Sequence, residues 1–359
     1  NKQAIPFNKE NFKQILSKEF AWVIIVSIPG AFIADYFNVP LAWFLGPMLI
    51  TSIVTLGGLK TKMPRLVLST VLIFLGLYIG NYVDKSLFSQ IHQWAWTSLI
   101  MLAYIVVSVL LVSKYLQKFS GYGKKTSVFS AAPGALGPLL ILAEDEKSDL
   151  SQVATAHLIR LIIIITVFPF VVNSFHDTES IKITETITEN QNIAHLLILV
   201  ALSVVLIIIF DKLRVPAALL AGTLFASGFL QIMEIASYKL PENIIDYCLL
   251  ILGSSVGCRF ANKTFNEVAR NTLHSFVATF FLVLLGLMAA FIAGLVIDKN
   301  FFTLLLSYCP GGIYEVAVIA IFFDLDPEFV SFHHIIRLLM ILFVVPVILK
   351  LIHKNKKPI

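Results

Sequence analysis

The chain has 359 residues, of which 58% are hydrophobic and only 14% charged, whereas soluble domains carry about 25% charged residues. A net charge of +5 spread over short loops fits lysines facing an anionic inner leaflet, not a nucleic-acid footprint. Composition therefore excludes an ordinary soluble domain and a DNA binder, and leaves a polytopic membrane protein.

In chain order, a basic arm over residues 1–19 holds Lys2, Lys9, Lys13 and Lys18. No cleavable leader is expected, because the first apolar run is span-like. That run covers Phe20–Phe37 with Pro29-Gly30 interrupting it, followed by Leu41–Leu59, Leu66–Val83 and Trp94–Tyr115. Each is close to the ~20 residues that cross a bilayer as a helix. Ser127–Ala143 is broken in its middle by Pro133, Gly134, Gly137 and Pro138, and Val153–Val172 closes a first membrane repeat over residues 20–172. A polar linker spans 173–192. A second repeat over 193–352 contains Ile193–Phe210, Ala217–Ile235, Ile244–Phe260, Thr272–Ile297, a broken Phe301–Phe323 and Val330–Ile352, and a basic tail occupies 353–359.

The second repeat copies the first. A shift of 177 places Ser130, Pro133, Gly134, Ala143, Asp149, Val153, His157, Ile159, Arg160, Leu161, Ile164, Val167 and Pro169 on identical residues, 13 of 40 without a gap. Composition alone would give roughly three. Val39-Pro40, Gly46 and Asp35 return as Val215-Pro216, Gly222 and Asp211, while Lys62, Pro64, Gly76 and Gly80 return as Lys239, Pro241, Gly253 and Gly257. The chain is two copies of one six-segment unit.

Parity decides their relative orientation. If the Pro-Gly segment of each copy re-enters, each half crosses five times and the second copy is upside down. Arg160 and Arg337 lie inside apolar runs. With the N-terminus inside, the other 25 basic residues fall 21 inside to 4 outside for that arrangement, against 18 to 7 if every segment crosses. The positive-inside rule therefore favours inversion. The expected fold is an all-α membrane protein of two inverted repeats, each of about five transmembrane helices plus one broken or re-entrant Pro-Gly segment. It sits in the bacterial cytoplasmic membrane with both termini cytoplasmic.

Broken helix in hydrocarbon is tolerated only where protein buries it or water reaches it, since each unsatisfied backbone group costs several kcal/mol. Breaks at matching positions, Pro133-Gly134 and Pro310-Gly311-Gly312, are the pattern of substrate or ion sites in transporters, although Pro and Gly also make plain structural kinks. Glu315, in the second copy only, is an intramembrane carboxylate and so a binding candidate. His157/Arg160 and His334/Arg337 set two cationic-capable groups three residues apart on one helix face. Two roles suit a buried arginine here: a bidentate anion site, or a structural one, capping the loose carbonyls of the neighbouring broken helix or pairing with Asp. Asp149 and Asp326, each eight residues before the histidine, are secondary candidates. The spacings Gly76-x-x-x-Gly80 and Gly253-x-x-x-Gly257 read as tight helix packing. Asp35 and Asp211 read as caps, and Cys248, Cys258 and Cys309 as small packing residues. No metal is expected: adjacent His333 and His334 face apart on a helix, and no partner has ligand spacing.

The paired Pro-Gly-Gly/Ala segments, each followed by His-x-x-Arg and a proline, resemble the bacterial AbrB family of duplicated membrane proteins, which is unrelated to the small DNA-binding protein of similar name. The resemblance spans the whole chain and is most specific over Ser130–Pro169 and Ser307–Pro346. The first copy departs from the family's Pro-Gly-Gly-x-x-Glu, having no acid where the second has Glu315. The family carries two labels, regulator of gene expression and ammonia monooxygenase, and neither specifies a mechanism. The expectation is a secondary transporter rather than an enzyme, with no cofactor and with H⁺ or Na⁺ as coupling ion. Its partners would be the lipid bilayer, a small solute and other copies of itself, without direct nucleic-acid contact. The alternative is a membrane regulator acting indirectly on gene expression. A monooxygenase is set aside for want of a ligand set.

Overall fold

A computed structural model describes residues 9–83, 86–175, 193–213, 215–235, 242–261 and 263–354, and every regular element among them is an α-helix. The first copy holds α1 (Lys9–Ile15), α2 (Lys18–Tyr36), α3 (Ala42–Leu56), α4 (Arg65–Gly80), α5 (Ser86–Phe119), α6 (Lys124–Ala131), α7 (Leu136–Asp145) and α8 (Leu150–Phe175). The second holds α9 (Ile193–Lys212), α10 (Ala218–Ile232), α11 (Glu242–Cys258), α12 (Phe265–Gly294), α13 (Phe301–Tyr308), α14 (Ile313–Phe322) and α15 (Pro327–Lys354). The linker over 176–192, the tail from 355, and Lys239 and Pro241 lie outside the described residues.

Among the described residues six helices are long and apolar enough to cross a membrane: α2, α5 and α8, and their counterparts α9, α12 and α15. Their outward faces carry large apolar side chains, such as Leu197, Val200, Val204, Val205 and Ile208 on α9. A soluble protein does not expose such a stripe, whereas lipid covers it at no cost. The chain is a membrane-type helical protein.

Two sequence expectations are corrected. The segment expected to be interrupted at Pro29-Gly30 is one continuous helix, α2. The spans expected at Leu41–Leu59, Leu66–Val83, Ala217–Ile235 and Ile244–Phe260 are shorter, with 15, 16, 15 and 17 helical residues. At 1.5 Å per residue, 15 residues reach only about 22 Å, short of the ~30 Å hydrocarbon core. Backbone geometry bounds two of them: α3 and α10 begin only after a left-handed residue, Leu41 (φ 54°) and Ala217 (φ 56°), which directly follows the Val-Pro pair. Both α3 and α10 then end near a second positive-φ residue, Gly58 (φ 98°) and Glu234 (φ 56°). These are matching positions, so the duplication extends to backbone conformation.

The chain forms two compact units, and each draws on both copies. One comprises Asn1–Ser89, Pro169–Phe265 and Ile321–Glu328; the other comprises Gln90–Phe168, Asn266–Ala320 and Phe329–Ile359. In the first unit, α3 packs on α2 and α11, and α10 on α9 and α4. Glycines set how closely they approach. A Cβ on Gly76 would lie 2.5 Å from the Leu220 carbonyl oxygen, and one on Gly253 would lie 2.2 Å from that of Phe44. Leu220 and Phe44 are equivalent residues, so each copy's Gly-x-x-x-Gly helix lies on the other copy's short helix. The close approach is therefore reciprocal between the copies. The hydroxyls of Ser27, Thr51 and Ser254 join α2, α3 and α11, with Ser27 at 3.2 Å from Thr51 and 2.6 Å from Ser254.

In the second unit, Val112 and Leu116 of α5, Ala131 of α6, and Ala278 and Leu282 of α12 share one apolar cluster. The Tyr104 hydroxyl donates to the Leu282 carbonyl at 3.3 Å. This unit contains both helix breaks.

Candidate functional site

Each broken segment is a pair of short helices. The C-terminus of α6 leads through Ala132-Pro133-Gly134-Ala135 into α7, and that of α13 through Cys309-Pro310-Gly311-Gly312 into α14. Pro133, Gly134, Pro310 and Gly311 are buried. The first break bends through Gly134 at φ 117° and Ala135 at φ 61°. Proline cannot donate a backbone hydrogen bond, so the carbonyls ending α6 and α13 lose their helical partners.

Side chains of α8 and α15 replace those partners. His157 Nε2–H donates to the Phe129 carbonyl at 3.0 Å, and Arg160 donates to Ala132 at 2.6 Å and also to Ser130. Twenty-eight residues separate donor and acceptor in the His157–Phe129 and Arg160–Ala132 pairs, and the second copy repeats them. There His334 Nε2–H donates to Leu306 at 2.9 Å, while Arg337 donates to Cys309 and, at 2.6 Å, to Gly311. Arg337 also donates to His334 Nδ1 at 3.1 Å. Of the two roles open to the arginines, carbonyl capping is the one the structure displays.

The two breaks lie together. A Cβ built on Gly134 would be 3.1 Å from a guanidinium nitrogen of Arg337, and one on Gly311 would be 3.4 Å from Ile164 of α8. The second copy's arginine thus rests on the first copy's break, two residues from the carbonyl that Arg160 holds. Both arginines are buried, at 2% and 0% exposure, and the Nε of each lacks a hydrogen-bond partner. Among the described residues neither forms an ion pair with a carboxylate. Two cations without a protein counter-charge, each with a spare donor, form an electropositive centre that suits an anion.

Glu315 is 1% exposed, and its carboxylate lies where a Cβ of Gly312 would be, 1.9 Å from Oε2. It folds back over the N-terminus of α14, where the helix dipole favours negative charge. Its first-copy counterpart is Pro138. Asp149 is exposed and caps α8, accepting from the Gln152 N–H at 3.0 Å. Asp326, at φ 41°, belongs to the other unit. The structure therefore brings Pro133, Gly134, His157, Arg160, Pro310, Gly311, Gly312, Glu315, His334 and Arg337 into one unit and leaves Asp149 at a helix end.

The break geometry predicts opposite effects at two adjacent residues. Gly134→Ala introduces a Cβ at φ 117°, against the guanidinium, and is expected to destabilise by about 1–3 kcal/mol. Ala135→Gly relieves a left-handed alanine and is expected to stabilise by up to about 1 kcal/mol. Thermal denaturation of the two purified variants in one detergent should move in opposite directions.

Comparison with known proteins gives the same family as the paired motifs. A family profile described as "Transition state regulatory protein AbrB" matches residues 2–82 and 54–353. The chain belongs to the AbrB family. Two relatives of this AbrB-family chain are matched over nearly their whole length. "Uncharacterized protein YhjN" of Bacillus subtilis (strain 168) is 21% identical over 357 residues, covering 92% of each chain. "Putative regulator AbrB" of Escherichia coli (strain K12) is 24% identical over 322 residues, 88% of this chain and 91% of that one. No solved structure matches.

Sequence reasoning gave no functional role to four residues of this unit: Trp94, Thr97, Tyr308 and His333. None has an identical residue at the 177 offset, so the repeat that located the breaks hid them. The pair His333-His334 was the available signal. Its members do face apart: His334 turns to the α13 carbonyl, and His333 sits 2.8 Å from Thr97 Oγ1 on α5.

Proposed function

We propose that this AbrB-family protein is a secondary transporter of a small anionic solute, working by alternating access in the bacterial cytoplasmic membrane. One observation carries the reading: both helix breaks lie in one unit with Arg160 and Arg337, and among the described residues neither arginine forms an ion pair with a carboxylate. A site meant only to hold broken helices together needs donors, but it does not need two uncompensated cations. An incoming anion supplies the missing charge and finds two unused Nε–H donors.

Inverted halves with cytoplasmic termini complete the proposal. The short helices come two to a copy, so the parity of each half depends only on whether its Pro-Gly segment crosses. Coupling to H⁺ or Na⁺ supplies the driving force, and the protein acts as a carrier, not an enzyme. The printed name of the Escherichia coli relative favours a second reading, a membrane regulator acting indirectly on gene expression.

Flux into proteoliposomes tests the first reading. Vesicles holding the wild-type protein should take up at least one labelled anion among succinate, malate, sulfate and phosphate. Arg160→Lys and Arg337→Lys, which replace a planar fork by a point charge, should each lower that uptake at least about tenfold, the equivalent of ~1.4 kcal/mol. Wild-type vesicles indistinguishable from empty ones for all four anions would leave the regulator reading standing.

A further inference from the structure

His333 sits in a polar site that the duplication does not explain. Its counterpart in the first copy is Ala156, and the residues around it are equally unpaired. Thr97 corresponds to His274, Tyr308 to Ala131 and Tyr104 to Phe281. A device on one side only, inside a twofold scaffold, is what a coupling site needs, because the anion site already uses both copies.

The hydrogen bonds fix the resting state of the ring. Nδ1–H donates to the Phe329 carbonyl at 2.9 Å. In the neutral imidazole, Nε2 therefore carries a lone pair and accepts from the Thr97 hydroxyl 2.8 Å away. That hydroxyl has a second acceptor in reach, the Trp94 carbonyl at 3.0 Å. When a proton binds Nε2, the new N–H donates to Thr97 Oγ1 and the hydroxyl hydrogen rotates to Trp94. Both protonation states leave the His333 ring nitrogens and the Thr97 hydroxyl hydrogen-bonded.

Burial costs that charge its solvation, and the surroundings offset part of the loss. Aromatic rings enclose His333: Phe329 at 4.1 Å between centroids, Phe332 at 5.5 Å, Trp94 at 6.2 Å and Tyr308 at 6.4 Å. Such ring faces attract a buried cation. The titratable and charged groups near the site are Tyr308 from α13, His334 and Arg337 further along α15, and Lys299, whose Nζ lies 5.7 Å from the Phe329 centroid. Glu328 precedes His333 on α15. The neighbouring histidines cannot substitute for it. His334 Nδ1 already accepts from Arg337, so its protonation would set N–H against N–H.

The site touches a break. Tyr308, the last residue of α13, donates its hydroxyl to the Thr97 carbonyl at 2.6 Å. Thr97 therefore joins the proton acceptor to the residue that opens the second break.

We propose that His333 and Thr97 form the proton-binding site that couples transport to a pH gradient, with the proton on Nε2. Glu315, folded over its own helix N-terminus, is not the coupling residue. The role in coupling rests on the transporter reading; proton binding does not.

Full-length protein labelled with ¹⁵N-histidine, in phosphatidylcholine vesicles, is titrated by solid-state NMR from about pH 8 to about pH 4, a range that brackets histidine. One signal, identified by its loss in His333→Gln, should pass from the neutral Nδ1–H form to imidazolium. In Thr97→Val the charged form loses its hydrogen-bond acceptor, and the midpoint should fall by about one pH unit; Thr97→Ser should restore it. If His333→Gln does not fold, the shift in Thr97→Val identifies the signal. In flux, an acid-outside gradient of one pH unit should raise wild-type anion accumulation about tenfold, and His333→Gln should lose that rise. A His333 signal that stays neutral to pH 4, or one that titrates identically in Thr97→Val, overturns the proton site. Wild-type uptake indifferent to the gradient overturns the coupling. Absence of any wild-type uptake overturns the transporter reading, and the titration then decides the proton site by itself.

Discussion

Arg337→Met should cost roughly 2–6 kcal/mol of stability, the largest effect expected of any single side chain in the protein. The substitution keeps volume and apolar stem but strips donors from the Cys309 and Gly311 carbonyls and from His334 Nδ1. Two carbonyls at ~2–3 kcal/mol each, and a ring nitrogen at about 1–3 kcal/mol, outweigh the ~3 kcal/mol regained by removing a buried cation. Arg337→Lys separates the terms, because an ammonium keeps the charge but cannot span both carbonyls as a fork. It should fall between wild type and Arg337→Met. Thermal inactivation followed by size-exclusion profile, at one heating rate, reads the order. A Met variant as stable as wild type would show that the carbonyls are not held by Arg337, and that the side chain serves only the anion.

Gly76→Val and Gly253→Val should each cost about 3 kcal/mol or more, and by nearly equal amounts. Even a single Cβ would approach the Leu220 and Phe44 carbonyl oxygens to 2.5 and 2.2 Å. Backbone cannot swing aside as a flexible side chain does, so the helices must separate, and overpacking of this kind typically costs 1–3 kcal/mol or occasionally more. The equality follows from the exchange of equivalent contacts between copies, which makes the two glycines one position used twice. Gly58→Ala is the control: it has nothing within 4 Å of its Cβ and only its positive φ to oppose it, so it should cost about 1–2 kcal/mol. Unfolding yields of the three variants in the same detergent test the ranking, and a Gly253 variant that behaves like the control would remove the close helix approach.

Much of this arrangement is written along the chain. The copying of Pro133-Gly134 and His157/Arg160 at one fixed offset located both breaks and the helices that hold them. A proline and a glycine inside an apolar run have few other uses in lipid. The small-residue spacings announced close helix pairs, because only glycine lets two backbones meet. The long apolar runs announced α2, α5, α8, α9, α12 and α15, though α5 starts eight residues and α12 seven residues before the expected run.

Other features needed the folded chain. Nothing in the composition of Leu41–Leu59 or Ala217–Ile235 reveals that positive-φ residues near both ends leave 15 helical residues. The sequence alone also left the arginines poised between an anion and the carbonyls, since both are acceptors and distance in space decides between them. The two compact units cut across the repeats for the same reason: apolar faces pair with whichever surface fits, not with the nearest in sequence. His333 is the extreme case. Its meaning comes from Thr97, 236 residues earlier, and a hydrogen bond across that separation leaves no periodicity for a sequence to show. Sequence by itself determined the duplicated membrane helices and where they break; tertiary packing decided which acceptors the buried cations face, because hydrogen bonding depends on direction and distance that no spacing encodes.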